Sequence, residues 1–311
     1  MDKFYADTVR LLLQVAPEIF ANNIFAMKGG TAINLFLRDM PRLSVDIDVV
    51  YVPRLTLRDE ALREIANELD GIAARLESSG LAVKRIAPND QGETKLLVSN
   101  EDALVKIEVN IVFRGTVMPI VRQPLCQRAS DLFGVDLILP VLNSAELYGS
   151  KLVAAMDRQH PRDLFDAMQM LEQDGLSDAT LECFVTYLAG HNRPIHEVLF
   201  GNDKDISLEY RDNFVGMTTE EVTLEQLLAV RKRLRTEIPQ RLTANQKAFL
   251  VGLSQAVPDW SLLACSYAEG LPALRWKLAN LETFRSKRPD DFHRQAAQLL
   301  ERFGQGGLPI S

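Results

Sequence analysis

Cysteine is scarce in this chain, and the few cysteines lie far apart. The 311 residues include three, at Cys126, Cys183 and Cys265, in neither a metal-ligand nor a redox spacing. An odd, sparse count is typical of reduced thiols and unlike a disulfide framework. Cysteine usage therefore predicts a cytoplasmic protein.

Long apolar runs and a surplus of positive charge are also missing. No stretch approaches the roughly 18 uninterrupted apolar residues of a membrane span, and the early acidic residues do not resemble a signal peptide. The formal net charge is −7, so a general basic coat for nucleic acid is excluded and any RNA contact must be local. We expect a cytoplasmic location with no membrane partner.

What the chain does contain is an ordinary globular composition arranged in two parts. Apolar residues make up 47% and charged residues 25%, which suits a folded protein of about two domains. Strand and helix patterns alternate up to about residue 175, and helical periodicity dominates afterwards, so we predict an α+β fold with domains at 1–175 and 176–311. Strands are predicted at 24–28, 43–51, 81–86, 94–99 and 104–113. Helices are predicted at 4–20, 32–38, 57–79, 145–158, 162–173, 177–190, 219–238, 243–256 and 290–303.

The first chemical motif is Gly29-Gly30-Thr31, followed after fourteen residues by Asp46-Ile47-Asp48. Side chains alternate along a strand, so the two aspartates point to one side and repel each other unless a cation lies between them. Mg²⁺ suits such oxygen ligands. The glycines let the backbone approach a phosphate, and Thr31 can cap the next helix and add a hydroxyl donor. The plain alternative is a tight turn before a solvated acidic strand; the combination favours a metal–nucleotide site.

A second motif is the alternating strand Lys106-Ile107-Glu108-Val109-Asn110. If it lies beside the aspartate strand, Glu108 supplies a third carboxylate, as a general base or a second metal ligand. The alternative is a half-exposed strand with a Lys–Glu pair.

A third group consists of Lys151, Arg158, Arg162, Asp163 and Asp166, on two helices divided by Pro161. A lysine beside a nucleotide pocket would bind triphosphate oxygens as a point charge. On its own the group is more typical of a salt-bridged helix surface. The basic run at 231–235 also has two interpretations: a solvated helix face, or a contact for an RNA backbone.

Together these motifs resemble the AbiEii/AbiGii family of MenT-like nucleotidyltransferase toxins, from bacterial abortive-infection and type IV toxin–antitoxin pairs. The resemblance continues through short helical-region motifs, among them Phe214-x-Gly216-Met217-Thr218, Pro258-x-Trp260 and Leu271-Pro272-Ala273-Leu274-x-Trp276-Lys277. It implies a DNA-polymerase-β-like nucleotidyltransferase core with a helical C-terminal lobe. It also implies a nucleoside triphosphate and Mg²⁺, an RNA acceptor with the tRNA 3′ end expected, arrested translation and growth, and a cognate antitoxin.

By position, the resemblance assigns roles to individual residues. Asp46 and Asp48 would hold the metal, while Lys28, Gly29, Gly30 and Thr31 would bind the nucleotide. The remaining catalytic residues would be Lys151 on the triphosphate, Asp163 and Asp166 completing the site, and Glu108 as the third carboxylate. Two alternatives stay open: a nucleotide-binding or partner-binding module without transfer, and a transferase acting on a protein hydroxyl.

Overall fold

The computed structural model describes residues 3–86 and 93–304. Within these residues the chain forms two compact units. One reaches Leu147 and includes Met217–Glu220; the other consists of Tyr148–Gly216 together with the chain from Glu221 onward. The division falls inside one helix, earlier than the predicted boundary at 175/176. The helices Ser144–Arg158 and Pro161–Gln173 come directly before residue 175, and the first of them from Tyr148 onward and all of the second belong to the second, helical unit.

The first unit is built on a seven-stranded mixed sheet. Its order is β3-β4-β5-β2-β1-β7-β6, with β2 parallel to β5, β1 parallel to β7 and the other pairs antiparallel. The strands are β1 Phe25–Lys28, β2 Ile47–Tyr51, β3 Ala82–Ile86, β4 Glu93–Ser99, β5 Leu104–Asn110, β6 Val121–Pro124 and β7 Ile138–Val141. The last two were not predicted. Each has only four residues, one of them a proline, which is too few for an alternation of apolar and polar residues to be recognised.

The helices are α1 Lys3–Ile19, α2 Gly29–Thr31, α3 Arg58–Ser78, α4 Gln127–Phe133, α5 Ser144–Arg158, α6 Pro161–Gln173, α7 Asp178–Ala189, α8 Ile195–Phe200, α9 Ser207–Asn213, α10 Leu224–Arg241, α11 Ala244–Ser254, α12 Pro272–Lys287 and α13 Pro289–Gly304. A π-helical turn, Ala32–Leu37, continues α2. Thr223 and Thr243 start α10 and α11 with capping boxes to the glutamine three residues on. The predicted helix at 219–238 therefore begins at Leu224, and α12 was missed.

The core of the first unit lies between one face of the sheet and two helices. Ile107 and Val109 on β5 are fully buried on that face, where α1 packs against β5 and α3 packs against β3 and β4. Residues between them in sequence point to the other side, which carries the charged side chains. The period of two that predicted β5 therefore also puts the apolar and the charged side chains on opposite sides of the sheet.

Two predicted strands are shorter in the structure, because side chains form hydrogen bonds with the backbone where the strand was expected to continue. The strand expected at 43–51 begins only at Ile47, since the Asp46 carbonyl accepts from the Thr31 hydroxyl and the Ser44 amide donates to the Tyr5 hydroxyl. The strand expected to reach residue 113 ends at Asn110, whose side-chain oxygen accepts from the amides of Val112 and Phe113.

The helical unit buries its own apolar core, in which Phe184 and Phe249 are fully enclosed. Among residues 3–86 and 93–304, no helix combines the length and the apolar character that crossing a bilayer requires.

Candidate active site

A row of charged residues crosses the sheet on the face away from the core. Strand pairing places Lys28 opposite Asp48, Asp48 beside Glu108, and Glu108 opposite Lys95. Residues in register on neighbouring strands point to the same side and lie about 5 Å apart. Four residues distant in sequence are thereby brought into one row, and three of them, Lys28, Asp48 and Glu108, are predicted site residues. We call this side of the sheet the charged face.

Gly29 follows β1 directly and lies against the side chain of Asp48. Its φ of +77° is in the left-handed region, and a Cβ there would overlap the Asp48 carboxylate. Only glycine, which has no Cβ, can adopt this φ and lie this close to the carboxylate without strain. The turn therefore brings bare backbone up to a carboxylate, which is the geometry expected for a phosphate and its cation.

Gly30 and Thr31 are enclosed by the segment that leads into β2. A Cβ at Gly30 would lie 2.7 Å from an Arg42 Nη and 3.0 Å from the Ser44 hydroxyl. The prediction that Thr31 caps the next helix is wrong: the helix begins at Gly29, and the Thr31 side chain is buried. Its hydroxyl donates to the Asp46 carbonyl at 2.5 Å and lies 3.0 Å from the Ser44 Oγ. A hydroxyl has one proton, so it does not donate to a phosphate while this bond stands.

Asp46 and Glu108 share a lysine. The Lys106 Nζ lies 3.5 Å from the Asp46 Oδ1 and 3.2 Å from the Glu108 Oε1, and the Lys95 Nζ lies 2.6 Å from the same Glu108 oxygen. Burial alone raises the pKa of Glu108, but the two lysines outweigh it and the pKa is lowered. Burial alone lowers the pKa of Lys106, but Asp46 and Glu108 outweigh it and the pKa is raised. Both side chains are therefore charged at neutral pH.

The carboxylates fit a magnesium ion that arrives with its substrate. Within the described ranges, no group of three or more histidine, cysteine, aspartate or glutamate side chains forms a ready metal cage. Mg²⁺ usually takes one or two protein carboxylates and completes its shell with water and phosphate oxygens. Asp46, whose side chain is 45% exposed, and Asp48, beside the bare glycine backbone, match that donor set.

Lys151 forms a buried cluster in the helical unit. Its Nζ lies 2.9 Å from an Asp163 oxygen and 3.1 Å from an Asp166 oxygen, and the three side chains are at most 10% exposed. Arg158, itself exposed, reaches the other Asp163 oxygen at 2.8 Å. The two aspartates thus share one face of α6, as their spacing predicts. The group is salt-bridged, as the plainer interpretation expected, but Lys151 and the two aspartates are buried and only Arg158 lies on the surface.

The basic run on α10 largely serves the helical unit itself. Arg231 is buried and donates to the Gln159 side chain and the Lys204 carbonyl, and Arg235 donates to the Asn202 carbonyl. Both arginines also pair with Asp203. These bonds hold the 201–205 loop, so the two arginines do not form the solvated face that the sequence allowed.

A polar cavity of about 690 Å³ also lies in the helical unit, and sequence reasoning missed it. Its charged lining includes Asp157, Arg193, His196, Glu197 and Arg302. Arg193 pairs with both Asp157 and Glu197, so part of this charge is already balanced internally. No spacing in the sequence marks these residues as a group.

Comparison with known proteins identifies one family and one fold. The family described as "Nucleotidyl transferase AbiEii toxin, Type IV TA system" matches residues 10–280. Seven solved chains match. One is MenT4, a nucleotidyltransferase toxin from Mycobacterium tuberculosis H37Rv, with a TM-score of 0.59 and 17% identity over 95% of this chain and 92% of that chain. No curated protein sequence matches. The structural likeness confirms the predicted fold class.

Proposed function

The chain belongs to the AbiEii family of type IV toxin–antitoxin nucleotidyltransferase toxins, and on that premise we propose that it transfers a nucleotide from a nucleoside triphosphate to RNA. The acceptor we propose is the 3′ end of tRNA. A modified 3′ end cannot carry an amino acid, so translation and growth stop. The reaction depends on Mg²⁺ held by Asp46 and Asp48.

One observation carries this proposal: the Asp48 carboxylate lies against the bare backbone of Gly29, on the charged face and next to Glu108. A side chain at Gly29 would fill the space where a phosphate and its cation meet the protein. Gly29 and Gly30 follow β1, and the first amides of a helix offer donors to an anion. Neither a tight turn nor a solvated strand requires glycine to touch a carboxylate.

In the proposed reaction, an acceptor hydroxyl oxygen attacks the α-phosphorus. A new P–O bond forms, the bond to the β-phosphate oxygen breaks, and pyrophosphate leaves, while the hydroxyl proton passes to water. A bound Mg²⁺ neutralises the charge that builds on the phosphoryl oxygens. The protein's contribution is positional: Asp46 and Asp48 fix the cation, and the glycine turn lets the phosphates approach.

Glu108 serves in this proposal as an anchor for lysines rather than as the base. Lys95 and Lys106 both contact one of its oxygens and lower its pKa. A carboxylate held in its ionised form by two cations is a weak proton acceptor. The proposed role of Glu108 is therefore to position the ammonium groups of Lys95 and Lys106 beside the aspartates.

Lys151, Asp163 and Asp166 remain predicted contributors to triphosphate binding, on the strength of the resemblance. Within their own unit, Lys151 is engaged by both aspartates. A phosphate that binds Lys151 would compete with these carboxylates. We also propose a cognate antitoxin as partner and the cytoplasm as the place of action, where nucleoside triphosphates and tRNA are found.

Labelled transfer tests the proposal directly. The protein is incubated with Mg²⁺, total RNA and each α-labelled nucleoside triphosphate in turn, beside D48N and, as a matched control, D102N in an exposed loop. We expect label in tRNA with one or more nucleotides, a loss of at least about 10²-fold in D48N, and no change in D102N. Sequencing tRNA 3′ ends after induced expression identifies the acceptor position.

Other outcomes favour the alternatives. Tight nucleotide binding in calorimetry with no transfer to RNA or protein would indicate a binding module. Label or added mass on a co-purified protein would indicate a protein hydroxyl as acceptor. If D48N is as toxic in cells as the wild type, the enzymatic explanation of toxicity is wrong.

A further inference from the structure

Beyond Glu108, the charged face continues across β4 and β3 to the edge of the sheet. Lys106 on β5 is opposite Leu97 on β4, which is opposite Lys84 on β3. Lys95, beside Glu108, belongs to the neighbouring row. Lys84, Lys95 and Lys106 therefore point to the same side, and we call them the lysine row.

The lysine row is accessible. Lys84 is exposed, and the side chains of Lys95 and Lys106 are 24% and 33% exposed. Neighbouring strands lie about 4.8 Å apart, so Lys84 and Lys106 are separated by about 10 Å. That distance is the rise of about three stacked nucleotides in one strand.

The charges on this face nearly cancel without a substrate. The three lysines of the row balance Asp46, Asp48 and Glu108, Lys28 on β1 adds one positive charge, and a single divalent cation on the aspartates would bring these groups to about +3. One part of this surplus lies at the β3 edge, on Lys84, which no described carboxylate pairs with, whereas Lys95 and Lys106 are paired with Glu108 and Asp46. The chain as a whole is acidic, so this local surplus is the feature that a polyanion would recognise.

A plainer explanation applies to Lys84 alone. It lies on an edge strand, where an exposed lysine discourages pairing with another sheet. That explanation requires no particular face, because Arg85 on the same strand would serve as well. It leaves unexplained why the lysines line up on the side of the aspartates.

We propose that the lysine row binds the acceptor RNA, with single-stranded phosphates running across β5, β4 and β3 toward the carboxylates. This inference rests on the proposed function for the identity of the acceptor. The strand would end at the aspartates, where its terminal hydroxyl meets the α-phosphate. Lys84 marks the far end of this track, and Lys95 and Lys106, fixed by Glu108, mark the near end.

The chain offers a matched pair of variants for the test. Lys84 and Arg85 are adjacent and exposed on β3, but Arg85 points to the opposite side, where it pairs with Asp70 of α3. K84Q and R85Q therefore remove the same charge from the same strand on different faces. Thermal melts of both proteins check that folding is retained.

Binding is measured without nucleotide, by fluorescence anisotropy of a fluorescein-labelled 12-nucleotide single-stranded RNA at several KCl concentrations with Mg²⁺ present. We expect K84Q to weaken binding about threefold or more and to reduce the slope of log K against log[KCl] by about 0.7, the value for one lost single-strand phosphate contact. R85Q should change neither quantity. Calorimetry should give the same nucleoside triphosphate affinity for K84Q and wild type.

Equal affinity and salt slope in K84Q and wild type would overturn the lysine row as an RNA surface and leave edge protection as its explanation. An equal loss in K84Q and R85Q would also overturn it, because general charge would then explain binding. Failure of the proposed function is a separate result: no label would be transferred, whatever the two variants do in the binding assay.

Discussion

Asp48 on β2 and Glu108 on β5 lie side by side on adjacent parallel strands, yet they have different neighbours. Asp48 is backed by the bare backbone of Gly29, whereas Glu108 is held by Lys95 and Lys106. Two adjacent carboxylates of the same face thus have different surroundings, and we propose that Asp48 binds a metal ion while Glu108 holds the two lysines.

Replacing Gly29 by alanine should remove activity beyond its effect on stability. Its φ of +77° predicts a stability loss of about 1–2 kcal/mol for a residue with a Cβ. The added methyl also overlaps the Asp48 carboxylate, so we expect at least about 10²-fold slower transfer. Chemical denaturation and the labelled-transfer assay measure the two effects.

Gly80 provides the control for that experiment. It has a φ of +83°, and a Cβ there would meet nothing within 4 Å. G80A should lose a similar amount of stability and keep full transfer activity. Equal activity in G29A and G80A would show that contact with Asp48 is unimportant.

Glu108 should stabilise the fold above about pH 4.5 and lose this effect in acid. Its usual pKa is 4.5. In the folded protein burial raises this pKa, but Lys95 and Lys106 lower it by more, so the net effect is a decrease. Because the unfolded chain then binds the proton more readily, the stability from Glu108 is present above the unfolded pKa and disappears as the pH falls through the folded pKa. Free energies of unfolding for wild type and E108Q should differ at pH 7 and converge below pH 4.5. A difference that stays constant down to pH 3.5 would contradict the pairing.

Lys151 should matter for stability whatever its part in catalysis. Replacing it with methionine leaves Asp163 and Asp166 buried without this cation, which predicts a loss of about 3–5 kcal/mol in the free energy of unfolding. R158Q removes another partner of Asp163, but the Arg158 side chain is 63% exposed, so the loss should be below about 1 kcal/mol. Urea denaturation measures both variants. Similar small losses in the two would mean that the Lys151 cluster is not a buried ion pair.

Lys277 should make the protein more stable as the pH rises from about 8 toward 10.5. Its Nζ donates to the carbonyls of Arg193 and Asn192, and burial, opposed by Glu197, lowers its pKa from 10.5 to about 8. In that window the unfolded chain binds a proton that the folded protein has lost, so stability rises with pH, by at most about 1.4 kcal/mol per pH unit.

The control for Lys277 lies on the same helix. K277M should abolish the rise, and K287M, at an exposed position of α12, should retain it. Denaturant midpoints at pH 7.5, 8.5 and 9.5 give the comparison. Parallel curves for wild type and K277M would rule out Lys277 as the source.

The sequence by itself determined the local features and the family. The apolar periods of α1, α3 and β5 depend on neighbours two to four residues apart, so they can be predicted from sequence. The Gly29-Gly30-Thr31 turn and the Asp46-x-Asp48 pair are equally local, and with Lys151 and Asp166 they were enough to indicate a nucleotidyltransferase toxin, which the family match confirms.

Only the tertiary structure decided which residues meet. Strand order and register place Glu108 beside Asp48, Lys95 beside Glu108, and Lys84 on the same side of the sheet. Pairing between strands that are distant in sequence produces no periodic pattern in the chain, so it cannot be predicted from sequence periodicity. Burial likewise decided that the Thr31 hydroxyl bonds to the Asp46 carbonyl and that Lys151 is enclosed by two aspartates. A side chain's partner depends on which groups packing leaves within hydrogen-bond reach, and that is a property of the folded chain alone.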